Sequence, residues 1–213
     1  FVWLAVMQQV EEGALNLDTN VNVYLQDFKF TNAFDAPITL RHLMSHTPGL
    51  DDRLLGLFSY DSSSIKPLAT LLKKEMPRRI APPGQFASYS NHGTALAAHL
   101  VELASGLEWN KYVETRILNP LGMLSTTFRQ PLPNHLKGLM SKGYTSIDGW
   151  MHEKPFEYVP LAPAGSVSAT ASDMAKLMVL LLNRGAIGDS SMVDTLSFQT
   201  MLSPYIRHAP SVN

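Results

Sequence analysis

The sequence predicts a mainly α-helical fold on three observations: apolar stripes at helical spacing, side-chain caps ahead of them, and glycine or proline where the stripes end. Phe1 to Glu12 begins apolar on most faces and turns polar at Gln8, Gln9, Glu11 and Glu12, with Gly13 placed where a helix takes its left-handed residue. That pattern predicts a central helix emerging from a core. Leu15 to Leu25 reads as a mixed connector. Thr39 is placed to cap a short helix ending near His46, which Pro48-Gly49 stops. Asp51 to Ser64 reads as a loop, and Pro67 suits the first turn of a helix running to Glu75.

Thr94 to Ala104 puts Leu96, Leu100 and Leu103 on one face and closes at Gly106, while Trp109, Tyr112, Val113, Arg116 and Ile117 trace a second stripe. Between Arg129 and Pro163 the periodicity breaks at Pro131, Pro133, Gly138, Gly143, Gly149, Pro155 and Pro160, which predicts loops around a short hairpin. Thr170 and Asp173 have the spacing of a capping box for a helix carrying Met174, Leu177, Met178 and Leu181 on one face and ending at Gly185. A last helix covers Val193 to Leu202. No internal repeat, low-complexity tract or charge run interrupts this order.

Composition narrows the class of function. A chain of 213 residues with 45% apolar content can bury one sizeable core or two small ones, and the prior is one domain or two lobes of a larger one. Seventeen basic residues against eighteen acidic ones leave no electrostatic footprint for nucleic acid or an anionic membrane, so small substrates remain. The absence of cysteine excludes disulfides, thiolate metal sites and a cysteine nucleophile. The apolar runs Phe1 to Met7 and Leu177 to Leu182 fall short of the roughly 18 residues a membrane span needs. The opening helix looks cut from a longer core element.

Five motifs stand in order: Leu43-Met44-Ser45-His46-Thr47-Pro48-Gly49-Leu50, Pro82-Pro83-Gly84-Gln85-Phe86, Tyr89-Ser90-Asn91, Pro120-Leu121-Gly122-Met123, and the run from Pro163 to Met174 containing Gly165 and Ser166. Together they resemble the serine β-lactamase and penicillin-binding protein superfamily, in particular the class C β-lactamase-like esterases and D-aminopeptidases. The resemblance spans nearly all of the chain. It implies a helical lobe and an antiparallel sheet lobe with the active site between them, this sequence mapping onto the helical lobe as a single partial domain, residues 1–213. It also implies a Ser-x-x-Lys just before Phe1 and a Lys-Thr-Gly or His-Thr-Gly strand after Asn213.

The chemistry explains the residue types. A serine hydroxyl is a weak nucleophile and loses its proton to a base as it attacks a carbonyl, so serine, lysine and tyrosine must meet within hydrogen-bond reach. A tyrosine, with an ordinary pKa near 10, serves as base only beside a cation that favours its phenolate. The resemblance thus implies Tyr89 as general base and Asn91 as the amide that orients lysine and substrate. Ser90, His92, Gly165 and Ser166 are the candidates for facing substrate. His92 adjoins Asn91 and either reaches the cleft or sits exposed at a helix start. Gly165 either approaches substrate or serves a tight turn.

Other residues have plainer readings. Ser63-Ser64-Ile65-Lys66 is a literal Ser-x-x-Lys, but it lies in a serine-rich loop ahead of Pro67 and reads as a helix cap or solvated turn. His42 and His46 share a helical face at a zinc-compatible spacing, yet no His-Glu-x-x-His or third ligand accompanies them, and no metal or cofactor is expected. His46 reads instead as a side chain bonding backbone where the helix turns, close behind the cleft. The methionines read as core filling.

Two classes of function follow. One is an acyl-transfer serine hydrolase cleaving esters, β-lactams or D-amino-acid peptides through an acyl-enzyme, with these residues alone inactive. The other is a non-catalytic relative acting as a helical interaction module. In either case the apolar side of the first helix, with Trp3, Leu4 and Met7, is expected to be exposed and to favour a homo-oligomer or domain swap. The family favours a periplasmic or secreted location, with cytoplasmic esterases also known.

Overall fold

The computed structural model describes residues 1–31, 33–51 and 55–205. Helix α1, Val2–Glu11, buries Val2, Leu4, Ala5, Val6, Met7, Gln8 and Gln9, and Gly13 beyond its end takes φ 72°. The expectation of an exposed first-helix face is corrected here: Leu4 and Met7 are each only 2% exposed and Trp3 packs against the core. The chain supplies the cover itself, since Phe1 meets Phe128 edge-on at 5.5 Å and later helices close over α1. Leu4 and Met7 are therefore not available to an oligomer or swap through that face, and Trp3 is half-buried. The buried glutamines are linked through a tyrosine: Gln9 Nε2 donates to the Tyr112 hydroxyl at 3.2 Å, which donates to Gln8 Oε1 at 3.0 Å.

A 3-10 turn, Val21–Val23, leads to α2, Leu40–Met44. Thr39 caps α2 reciprocally with His42, whose Nδ1 accepts the Thr39 N–H at 3.2 Å. The helix ends before Pro48-Gly49 because His46 already turns left-handed at φ 53°. Of the expected loop from Asp51 to Ser64, residues 52–54 lie outside the described residues, and Ser62–Ser64 forms a 3-10 turn. Helix α3, Leu68–Lys74, starts after Pro67.

Helix α4, Asn91–Ser105, begins three residues before the expected start at Thr94 because Ser90 caps it, and it closes at Gly106 with φ 71°. It is no one-faced helix: the run Ala95–Val101 is buried throughout, and α1, α2, α3 and two later helices pack around it. Helix α5, Trp109–Val113, runs on into a π-helical turn, Glu114–Leu118, whose Glu114 receives Arg129 Nε and Nη2 at 2.6 and 2.9 Å. A short α6, Asn134–Lys137, precedes the antiparallel hairpin of β1, Gly143–Ile147, and β2, Trp150–Lys154, in which Ile147 pairs with Trp150. Asp148 and Gly149 turn it with φ 51° and 84°, the conformation two-residue hairpins favour.

After α7, Ala162–Gly165, comes α8, Ala171–Leu182. The capping box expected there is only half made. Thr170 accepts the Asp173 N–H at 3.2 Å, but the Asp173 carboxylate turns to Ser125 N at 2.8 Å and Thr126 Oγ1 at 2.9 Å. The expected face of α8 is also shifted, since Leu177 and Leu180 are buried while Met178 is 60% exposed. A small hairpin of β3, Ala186–Ile187, and β4, Ser190–Ser191, then leads to α9, Thr195–Leu202, capped by Asp194. The two hairpins are the only sheets among the described residues.

Candidate active site

The segment after α2 and the segment before α4 are laced together by backbone. Asp51 N donates to Arg78 O at 2.8 Å, Ile80 N to Gly49 O at 2.9 Å, Gly84 N to Thr47 O at 2.8 Å and Ser88 N to His46 O at 2.7 Å. Gly49, at φ 70°, lies so close to Ala81 that no side chain fits between them. These bonds join the His-Thr-Pro-Gly and Pro-Pro-Gly segments, each supplying partners for the other's loop backbone.

The ladder delivers Tyr89 to the surface at the head of α4. Its ring is 58% exposed, its hydroxyl donates to Asn91 Oδ1 at 3.2 Å, and its ring centre lies 4.6 Å from that of His46. Asn91 is the first residue of α4. The structure thus brings Tyr89, Asn91 and His46 together.

The other candidates point elsewhere. Ser90 is buried, and its Oγ accepts the Gly93 N–H at 3.0 Å as the cap of α4. His92 is not the exposed helix-start residue expected: it is buried, its Nε2 lies 3.1 Å from Leu72 O, and burial lowers its pKa to about 4. Asn91 and His92 are neighbours in sequence, but a helix sends adjacent side chains about 100° apart, which separates their surroundings. Ser166 is buried and donates to Phe128 O at 2.9 Å. Gly165 closes the single turn of α7 with an ordinary right-handed backbone.

Ser63 donates its hydroxyl to the Asp61 carboxylate, with Asp61 capping the 3-10 turn, so it is held as a turn residue. His42 spends Nδ1 on the Thr39 cap, and no group of three or more His, Asp or Glu able to hold a metal ion occurs among the described residues. No helix among them is long and apolar enough to cross a membrane.

Sequence reasoning placed His46 behind the cleft and bonded to backbone, but not its partner. His46 Nδ1 accepts the Ser90 N–H at 3.2 Å, and burial lowers the pKa of the imidazole, favouring the neutral ring that can accept. No local signal announces this contact, because the two residues are 44 positions apart. Chemically, the arrangement offers an exposed phenol whose hydroxyl is oriented by an amide and whose ring is backed by a neutral imidazole.

A family profile described as Beta-lactamase matches residues 1–207. Beta-lactamase-like protein 2 of Dictyostelium discoideum is 28% identical over 213 residues, covering 96% of this chain and 37% of its own. Monacolin J acid methylbutanoyltransferase of Aspergillus terreus is 29% identical over 227 residues, covering 94% of this chain and 55% of its own. Among solved structures, the octameric penicillin-binding protein homologue from Pyrococcus abyssi superposes with a TM-score of 0.74 at 25% identity, over 99% of this chain and 48% of that one. The chain therefore spans between roughly a third and just over half of these relatives.

Proposed function

The chain belongs to the beta-lactamase family, and from that premise we propose that residues 1–213 form the helical lobe of a serine acyl-transfer enzyme. On this reading the sheet lobe and the reacting Ser-x-x-Lys are not among these residues, and the described part alone does not turn over substrate. Tyr89 is the general base and Asn91 orients the lysine and the substrate. The serine oxygen attacks an ester, β-lactam or D-peptide carbonyl as its proton passes to Tyr89. The acyl–serine bond forms, and the leaving oxygen or nitrogen takes that proton. A second nucleophile then releases the acyl group. Water makes this a hydrolase, and an alcohol makes it an acyltransferase, an outcome that hydrolase reasoning alone overlooks and that the methylbutanoyltransferase relative brings into view.

The observation that carries the reading is the exposed Tyr89 hydroxyl bonded to Asn91 Oδ1 at the head of the central helix. The test compares the full product of the gene with residues 1–213 alone, using a chromogenic cephalosporin and a short-chain nitrophenyl ester. Turnover is expected from the full product and falls about 100-fold or more in Tyr89→Phe, the scale of a lost acid–base group. A Tyr89→Phe enzyme that keeps its rate overturns the base assignment. Turnover by residues 1–213 that Ser63→Ala abolishes overturns the placement of the nucleophile.

A further inference from the structure

We propose that His46 is the positioning residue of the Tyr-Ser-Asn loop, holding the Ser90 N–H on its Nδ1 and the Tyr89 ring against its imidazole. The proposal rests on the reading of Tyr89 as general base. Three contacts, one on each of three successive residues, converge on this histidine. Its carbonyl takes the Ser88 N–H at 2.7 Å, its ring lies 4.6 Å from the Tyr89 ring with 34° between their planes, and Nδ1 takes the Ser90 N–H at 3.2 Å.

The backbone of His46 is left-handed at φ 53°, a conformation that is uncommon outside glycine but in which histidine, like asparagine and aspartate, is enriched. The surrounding ladder holds it there. Ser90 has no other way to satisfy its buried N–H within α4, since it stands before the first helical turn and its own hydroxyl is spent on Gly93. An acceptor at Nδ1 requires the ring proton to sit on Nε2, so the bond selects one neutral tautomer. Tyr89 lies between the two anchored residues; its hydroxyl bonds to Asn91, its one side-chain hydrogen bond among the described residues, and its ring packs on the imidazole face.

The arrangement also contains its own control. The Ser88 bond uses only the His46 backbone and survives any side-chain change, whereas the Ser90 bond and the Tyr89 contact need the imidazole. Two variants separate these roles without straining the backbone. His46→Gly tolerates the left-handed φ and removes both contacts, and His46→Asn tolerates it and returns an acceptor without a ring.

The test is nuclear magnetic resonance of the labelled chain. In the unaltered protein, His46 Nδ1 is expected to show the shift of an unprotonated nitrogen, and the Tyr89 ring signals to be displaced by the imidazole ring current. In His46→Gly, the Ser90 amide should exchange about tenfold faster, the scale of one lost hydrogen bond, while the Ser88 amide exchanges as before. His46→Asn should restore Ser90 protection but not the Tyr89 displacement. A proton on Nδ1 in the unaltered protein, or a Ser90 amide indifferent to His46→Gly, overturns the proposal. So does equal acceleration at Ser88 and Ser90, which would mark general loosening.

Turnover of the full gene product separates this idea from the one it rests on. His46→Gly is expected to lower kcat about tenfold or more with little change in KM, because a base out of place weakens the chemical step more than binding. Loss on Tyr89→Phe with none on His46→Gly overturns the positioning role alone. Insensitivity to Tyr89→Phe removes the base reading and with it the catalytic part of this proposal.

Discussion

A Cβ on Gly49 would fall 2.0 Å from the carbonyl oxygen of Ala81, so the His-Thr-Pro-Gly turn and the Pro-Pro-Gly segment touch backbone to backbone. Gly49→Ala meets both that contact and a left-handed φ of 70°. Gly13→Ala meets a φ of 72° with nothing within 4 Å. The expected losses are about 3 kcal/mol for the first and about 1 kcal/mol for the second, read from urea unfolding. Equal losses at the two positions would show that the close approach costs nothing beyond the backbone conformation.

Asp173 ties α8 to the turn after Met123. Burial pushes its pKa up, but the Lys176 ammonium at 2.8 Å and the donors of Ser125 and Thr126 outweigh that and hold it below the ordinary value. Asp173→Ala leaves those donors without their acceptor, and a loss of about 3 kcal/mol is expected. Because the folded pKa is depressed, the stabilisation is full above the ordinary carboxylate range and disappears as pH falls through the folded value. An Asp173→Ala chain unfolding at the same urea concentration as the unaltered one would refute this account.

His92 gives the chain an acid sensitivity at higher pH. Burial lowers its pKa from 6.5 to about 4. Between those values the unfolded chain takes up a proton that the folded chain refuses. Stability should therefore be unaffected above about pH 7 and decline by about 3 kcal/mol as pH drops toward 4. His92→Phe, which cannot titrate, should flatten that part of the profile. An unchanged slope in the variant would assign the acid sensitivity to another group.

Ser63 is the literal Ser-x-x-Lys serine, but its hydroxyl is committed to Asp61 in an exposed turn. Ser63→Ala should leave turnover of the full gene product within about twofold, as surface substitutions do. A loss comparable to that of Tyr89→Phe would move the nucleophile to this turn.

The local signals in the sequence located most helices to within a few residues. Thr39, Thr170 and the glycines at 13 and 106 act within one turn of their own position, so their neighbours in sequence are their partners in space. Ser90 shows the limit of the apolar pattern. The stripe begins at Leu96, whereas the cap that starts α4 lies among polar residues that also carry the candidate chemistry.

The amino-acid sequence by itself determined the positions of most helices, the family motifs and the two-residue spacing of Tyr89 and Asn91, because each is written in residues a few positions apart. Only the tertiary structure decided that Leu4 and Met7 are covered, that His92 turns inward to Leu72, that Asp173 leaves its own helix start for Ser125, and that His46 meets Ser90. Each of these depends on which buried donor finds which acceptor, or which apolar face finds which neighbour, after helices distant in sequence have packed. Desolvation then makes the pairing obligatory, and no periodicity records it in advance.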